Sequence, residues 1–432
     1  MSGPRALIRR AILFVTLSFV LVNGAMALLT PERWSQTAGR VYTWFFLSRQ
    51  GMDSWDPMSR ALAHVKQDPP PPKGLYEKLL YRHQQKPFQY PPSALLLPWG
   101  AELVLGRRWL SLVQFVTWLS IPAMGIATAL LLRRELESLG KPEEIRGSRV
   151  AVLVLVGLAT LSFYPTMAAY RAGQIQAWLN AAFAVSLWAW ATGRPRLAGG
   201  LLGLACLVKP QWALLALWGA LRRRWGFLSS FGLVAALGAA LSLLVFGWAP
   251  HLEYLGALSF LSRRGESFYP NQSVNGLLNR LLINGENLER SGFPPFHPWV
   301  YAGTLVTSLL LLAAALLPRP RPEEKGGVVD LALMGLTCTM ASPIAWEHHY
   351  GILLPIYAVL LPRLGSEPVL GRWTLAWLGA SYLLTSNLFT IADWSAPTHW
   401  NFVQSYLFIG ASLALLLLHR LRASAGAASE GC

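Results

Sequence analysis

Apolar residues come in long runs along this chain. AILFVTLSFVLVNGAMALL (11–29) and FLSSFGLVAALGAALSLLVFGW (227–248) each reach the roughly 20 apolar residues that carry a helix across a ~30 Å hydrocarbon layer. Further apolar runs at 299–317, 327–343, 350–363, 371–390 and 400–418 predict more crossings. Polar and aromatic segments at 30–90 and 249–298 are too long to be plain connectors. The pattern predicts an all-α polytopic membrane protein, a single integral membrane domain over 1–432 with two long loops on one side. No internal repeat is visible.

The stretch 91–220 admits two readings. PPSALLLPWGAELVLG (91–106) is short for a span, and LAGGLLGLACLVKPQWALLALWGAL (197–221) carries Lys209–Pro210 at its centre. If both cross, there are about twelve spans, and the loops 133–149 and 193–196 share the side of the long loops. If neither crosses, both segments are re-entrant, which is tolerated only where protein or a cavity surrounds the backbone. Twelve crossings with some broken helices is the expectation taken forward; Arg171 and Gln174 would then face the cytoplasm.

Composition agrees with the membrane reading. Only 13% of the 432 residues are charged and 53% are hydrophobic, against about 25% charged in soluble domains. A net charge of +16 could suggest nucleic acid, but Lys and Arg cluster between the apolar runs. Clusters at Arg222–Arg224, Arg319/Arg321/Lys325, Arg363/Arg372 and Arg420/Arg422 mark cytoplasmic loops by the positive-inside rule. Nucleic acid is therefore not an expected partner. Both long loops fall outside, and both termini fall in the cytoplasm, with the first run a retained signal anchor of the cell membrane. Cys206, Cys338 and Cys432 are too few and too scattered for a disulfide framework or a metal knuckle.

Within the first loop the sequence predicts a short helix over 34–50, a proline run Pro69–Pro72, and an amphipathic helix on the membrane surface carrying Met58, Ala61, Leu62 and Val65 at helical spacing. Arg33, Arg40, Lys66, Lys73 and Lys86 would suit anionic lipid headgroups. Aspartates are scarce: Asp53, Asp56, Asp68, Asp330 and Asp393 are the only five. Two lie in GMDSWDP, where a carboxylate at an apolar interface could act as a general base. Asp56, directly before Pro57, also reads as a helix N-cap, which leaves Asp53 as the stronger base candidate and Asp56 as the alternative.

Other chemistry clusters near the loops. In KPFQYPP (86–92), Tyr90 stands at the membrane interface as a candidate donor contact. Lys209 in ACLVKPQW lies within an apolar run, where an unpartnered cation costs a few kcal/mol; a lipid phosphate is its natural partner. Arg171 and Gln174 in YRAGQIQ are weaker candidates. SPIAWEHHYG (342–351) holds His348 and His349; adjacent residues on a helix diverge by about 100°, so a shared metal is not expected, and a histidine could instead meet a phosphate or assist a base. In YPNQSVNGLLNRLL (269–282), Asn271, Gln272, Asn275 and Arg280 could read sugar hydroxyls and a phosphate. Asn271-Gln-Ser also forms a glycosylation sequon. Nucleotide-binding glycine motifs are absent from the sequence.

Taken in order, MDSWDPMSRAL, PFQYPP, AGQIQ, RPRLAGGLLGLACLVKPQWALLALWGALRRRW, NQSVNGLLNR and SPIAWEHH resemble glycosyltransferase family 87 of the GT-C superfamily. That family is typified by polyprenyl-phosphate-mannose-dependent α-mannosyltransferases. The resemblance covers roughly 10–420 and implies transfer of a sugar from a lipid monophosphate to an acceptor hydroxyl on the outer face, with inversion. It implies that Asp53 corresponds to the family's loop carboxylate, His348 to its functional histidine and Lys209 to the lysine of its AG…KP element. Pro57 stands where an aromatic is usual, and Gln176 where asparagine is common.

On this reading the donor is a polyprenyl-phosphate sugar, with mannose implied by the resemblance alone. Asp53 or Asp56 takes the acceptor proton, while Lys209, Arg280, His348 and His349 stabilise the phosphate and Asn271, Gln272 and Tyr90 contact the donor. No metal or other cofactor is expected. The acceptor could be a glycolipid, a polysaccharide precursor or a protein. A transporter or lipid flippase is the rival reading, since twelve spans and an intramembrane lysine suit a substrate path. A second rival is an assembly partner that kept the fold and lost catalysis.

Overall fold

A computed structural model describes residues 4–32, 50–67, 74–81, 86–138, 148–318, 327–366 and 372–424. Residues 34–49 of the helix expected over 34–50, the Pro69–Pro72 run and the cations Arg33, Arg40 and Lys73 lie outside the described residues. So do Arg319, Arg321, Lys325 and Cys432.

The described chain is helical, with one isolated antiparallel bridge, Asn271 to Trp346. Its first part contains α1 (Pro4–Leu29), α2 (Trp55–Val65), α3 (Leu75–Leu79), α4 (Leu96–Leu105) and α5 (Trp109–Ser138). Then come α6 (Arg149–Ser162), α7 (Tyr164–Ala172), α8 (Gln176–Ala191), α9 (Pro195–Cys206), α10 (Leu214–Leu221) and α11 (Trp225–Phe246). The remainder comprises α12 (Ala249–Arg264), α13 (Val274–Leu281), α14 (Pro298–Leu316), α15 (Val328–Met340), α16 (Leu353–Ser366), α17 (Arg372–Ser386) and α18 (Tyr406–Ser424).

Among the described residues, five helices are long and apolar enough to cross a membrane, and six if α6 and α7 count as one span bent by 54°. The bend has a local cause. Pro165 in the first turn of α7 cannot donate to the preceding turn, and Phe163 before it is extended. The expected spans at 11–29, 227–248 and 299–317 coincide with α1, α11 and α14. On α11, Leu233, Leu237, Leu241 and Leu244 are all exposed; a helix that shows leucine on its open side is solvated by lipid, not water.

Contacts sort the bundle into two ends. At one end Arg363 pairs with Glu135 at 2.6 Å, Arg134 donates to the Ala191 carbonyl, and Arg224 lies over the Trp190 ring. Arg222 and Arg422 converge there on Asp330 at 2.8 and 3.2 Å, with Trp218 Nε1 donating to the same carboxylate at 2.7 Å. At the other end Thr30 bonds Thr390, Gly51 meets Arg171, and Ser93 donates to the Leu207 carbonyl.

These contacts correct the expected path through 91–220. Residues 133–138 and 193–196 lie with Arg222 and Arg363, not with the long loops. Segment 197–221 rises as α9, turns at Lys209–Pro210 and returns as α10, so its two ends are neighbours: Pro195 and Arg196 approach Gly226. Arg171 and Gln174 lie at the end that holds Asp53, opposite to the side expected for them.

Two local expectations in the first loop also change. The apolar face of α2 (Met58, Ala61, Leu62) is buried against α3 and the 92–105 segment, and Trp55 packs on Trp109 and Trp178. That face meets protein, not the membrane surface. Asp56 is not the N-cap: α2 starts at Trp55, the cap position is Ser54, and no side chain caps it.

The Asp330 cluster ties α10, α15 and α18 at one point, with all three charged side chains at most 6% exposed. Removing one member of such a buried network strands the others and typically costs about 3–5 kcal/mol. Asp330→Ala is therefore expected to lower the apparent melting temperature in detergent sharply. An unchanged melting temperature would show that the two guanidinium groups find other partners.

Candidate active site

The Asp53 loop is fixed by its backbone. Gly51 N donates to Arg171 O at 2.8 Å and Asp53 N to Ala172 O at 2.9 Å. The approach is close enough to exclude side chains: a Cβ on Gly173 would lie 1.7 Å from the Gly51 oxygen. Gly173 also has φ +65, the left-handed conformation that glycine adopts without a steric penalty. The AG of AGQIQ is thus a seam that brings Gln174 to Asp53.

At this seam Gln174 Nε2 donates to Asp53 Oδ2. Its Oε1 accepts from Ser54 Oγ at 2.7 Å and from Tyr90 OH at 3.3 Å, and Ser54 Oγ accepts from Ile175 N. Because an ionised carboxylate can only accept, the amide nitrogen faces Asp53 and the amide oxygen is left for the two hydroxyls. Lys86 Nζ stands 4.0 Å from Asp53 Oδ1 and 3.3 Å from Asp56 Oδ2, and Arg60 holds the Lys86 carbonyl at 2.7 Å. Asp53 is 24% exposed and lines a cavity, whereas Asp56 is 49% exposed and lies outside the cavity lining.

The cavity has a volume of about 480 Å³, within the range of small-ligand sites. Asp53, Lys86, Tyr90 and Gln174 form one part of its lining, and Lys209, Arg290, His348 and His349 another. Leu258, Leu261 and Leu312 add an apolar wall. Lys209 reaches the cavity because α9 ends before it and Pro210 restarts the chain. Its Nζ lies within hydrogen-bond distance of His349 Nε2, at 2.5 Å. Both histidines lie in the turn between α15 and α16, where burial and the neighbouring Lys209 charge hold their imidazoles well below the usual range. Both shifts favour the neutral imidazole beside Lys209.

The histidine turn rests on the loop that carries NQS. Gln272 N donates to Ala345 O and Glu347 N to Pro270 O, both at 2.8 Å. Asn271 Oδ1 accepts from Ala345 N and its Nδ2 donates to Glu266 O; Gln272 Nε2 donates to Tyr269 O and Gln404 O. Arg280, 1% exposed, donates to Asn271 O at 3.1 Å and Ser405 Oγ at 2.7 Å. The structure therefore does not bring Asn271, Gln272 or Arg280 to the cavity. Apart from the Arg280–Ser405 bond, their hydrogen bonds named here go to backbone that would otherwise be unsatisfied. Asn271 is fully buried, so its sequon is closed to an external enzyme in the folded chain.

Sequence reasoning missed Arg290 and Glu266. Arg290 Nε bonds Glu266 Oε1 at 3.2 Å and its guanidinium lies 4.9 Å above the Trp346 ring, while Trp346 Nε1 donates to Glu266 Oε2 at 2.5 Å. Burial pushes the Glu266 carboxyl up, and Arg290 pulls it back. No spacing within NLERSGF or RRGESF signals this meeting, because the two segments join only through folding. Glu347 is turned away from the cavity and accepts from Tyr164 OH at 2.6 Å. Among the described residues no cluster of three or more His, Cys, Asp or Glu side chains could hold a metal ion.

The sequence profile of glycosyltransferase family 87 matches residues 88–343. The chain belongs to glycosyltransferase family 87 and is a glycosyltransferase of the membrane. It is similar to a polyprenol-phosphate-mannose-dependent alpha-(1-2)-phosphatidylinositol pentamannoside mannosyltransferase of Mycolicibacterium smegmatis, 28% identical over 341 residues that span 77% of this chain and 74% of that one. A polyprenol-phosphate-mannose-dependent alpha-(1-2)-phosphatidylinositol mannoside mannosyltransferase of Mycobacterium tuberculosis is 30% identical over 292 residues, 63% of this chain and 62% of that one. No solved structure matches the chain.

The hydrogen bond from Gln174 restricts how the Asp53 carboxylate can turn. Gln174→Leu removes the donor at similar volume, and misplacing a reacting group by about 1 Å can cost up to about 100-fold. Steady-state kinetics should show kcat for glycosyl transfer falling roughly 10- to 100-fold with KM for the sugar donor little changed. A wild-type kcat would mean that the amide does not orient the carboxylate.

Proposed function

We propose that this protein transfers a mannosyl group from a polyprenyl-phosphate donor to a hydroxyl of a glycolipid acceptor, on the extracytoplasmic face and with inversion. The donor and acceptor classes rest on the two relatives described above. The observation that carries the reading is one cavity lined by the tethered Asp53 carboxylate together with Lys209, His348, His349 and Arg290.

Asp53 takes the proton of the acceptor hydroxyl. The oxygen attacks the anomeric carbon from the face opposite the phosphate, and the bond from that carbon to the phosphate oxygen breaks. Its electron pair leaves on the polyprenyl phosphate. Lys209 and Arg290 offset the charge that develops there, at fixed positions in a partly dehydrated site, with His348 and His349 beside them. The leucine wall suits the isoprenoid chain. Asp56 is the weaker candidate base, being half-exposed and engaged by Lys86.

The end with Arg134, Arg222 and Arg363 is assigned to the cytoplasm by its positive charge, which puts Asp53 outside. Counting α1, α5, the bent α6–α7 pair, α8 to α11 and α14 to α18 as passes gives about twelve, with both described ends of the chain at the cytoplasmic face. In that arrangement Lys209 tops a hairpin of two short passes, α9 and α10. The rival transport reading has no use for a carboxylate held by a dedicated amide at the end of the path, and the family is one of glycosyltransferases.

Two measurements test this reading. Asp53→Asn should abolish transfer from labelled polyprenyl-phosphate mannose while donor binding stays near wild type; normal turnover would remove Asp53 from the mechanism. With cationic side chains taking the leaving charge, transfer in EDTA-washed membranes should equal that in untreated ones. Loss of transfer restored by Mg²⁺ or Mn²⁺ would show that a metal is needed.

A further inference from the structure

Two further hollows adjoin the catalytic cavity along α12. Arg290 and Pro87 also line a narrower hollow of about 160 Å³, which includes Tyr81, Phe260 and Arg264. Those last three in turn line an outer hollow of about 740 Å³, completed by Arg263, Phe296 and Tyr301. Each hollow shares lining residues with the next, which places the three side by side along α12, from the Asp53 cavity to the exposed Arg263.

The lining has a consistent chemistry. Tyr81 packs edge-on against Phe260 with ring centroids 5.0 Å apart, and Phe296 lies 6.0 Å from Tyr301. Arg264 is held in place over the Phe260 ring at 5.0 Å, with Nη1 donating to the Pro294 carbonyl at 3.5 Å. Arg263 beside it is exposed. The carboxylate that lines the narrower hollow, Glu266, is tied to Arg290 and Trp346, which leaves the outer hollow cationic. Aromatic faces suit the C–H faces of hexose rings, and a guanidinium fork matches phosphate oxygens.

The geometry points to an acceptor site: the two hollows bind the headgroup of an anionic glycolipid, with its phosphodiester at Arg263 and Arg264 and its sugars laid along Phe260 and Tyr81 toward Asp53. This assignment rests on the glycosyl-transfer reading above and names the part of the acceptor that the protein recognises. The phosphodiester is a fixed feature of the lipid that the transfer leaves intact, so the two arginines contribute to acceptor binding and not to the chemical step.

The test compares the wild type with the double variant Arg263→Gln/Arg264→Gln. One readout is binding of phosphatidylinositol mannoside to the purified protein in neutral detergent; the other is transfer to that lipid and to uncharged octyl α-mannoside. Charge-assisted contacts of this kind predict that the double variant binds the anionic lipid about tenfold more weakly. Its acceptor KM should rise in proportion, with kcat and the octyl mannoside reaction near wild type. Arg263→Gln alone, at an exposed position, should give a smaller change of the same kind in a fully folded protein. Unchanged affinity for the anionic lipid, or an equal loss with both acceptors, overturns the assignment. If the wild type transfers mannose to neither acceptor, the glycosyl-transfer reading fails, and the binding comparison still decides the lipid site.

Discussion

Everything in the site depends on how closely the Gly51–Ser54 backbone approaches the turn at Ala172–Ile175. Two glycines allow it, and neither tolerates a Cβ: one at Gly51 would lie 2.6 Å from the Ala172 oxygen, and one at Gly173 still closer to Gly51. The seam converts a long polar loop into a fixed platform. It sets Asp53 against Gln174, turns Ser54 and Tyr90 onto the same amide, and buries Trp55 so that α2 sits on the bundle.

The opposite part of the cavity is built by a different device. Helix breaks deliver Lys209 and the histidines: Pro210 interrupts the α9–α10 hairpin at Lys209, and Pro343 ends the helical path before the histidine turn. A buried amide network then holds the broken backbone, since main-chain groups freed from helices need partners. Asn271, Gln272 and Arg280 supply them. The cost of irregular backbone is thus met by side chains that never face the cavity, while Lys209 and His349 partner one another.

Much of this was legible in the chain, for identifiable reasons. Long apolar runs marked α1, α11 and α14 because a span leaves a composition signal twenty residues wide. Asp53, Lys209 and the two histidines stood out because charged or titratable groups are scarce in such a sequence. The motif NQSVNGLLNR was also visible, but its role was misread: polar residues next to a site look the same whether they touch ligand or brace backbone. Arg290 was invisible, because its meeting with Glu266 and Trp346 is purely tertiary. The position of AGQIQ relative to Asp53 was misjudged because the short α9 and α10 leave no separate hydropathy signals. A hairpin with a lysine at its tip then reads as one interrupted span.

The central claim is that the sugar sits between one carboxylate and a cluster of cations in a single cavity. It is tested most directly by a structure of the protein with a non-hydrolysable polyprenyl-phosphonate mannose analogue bound. The account predicts the phosphonate beside Lys209, His349 and Arg290, and the anomeric carbon turned toward Asp53 with room for one hydroxyl between them, at the roughly 3–3.5 Å approach that attack requires. An analogue whose phosphonate is bound elsewhere, or whose anomeric carbon faces away from Asp53, would contradict it.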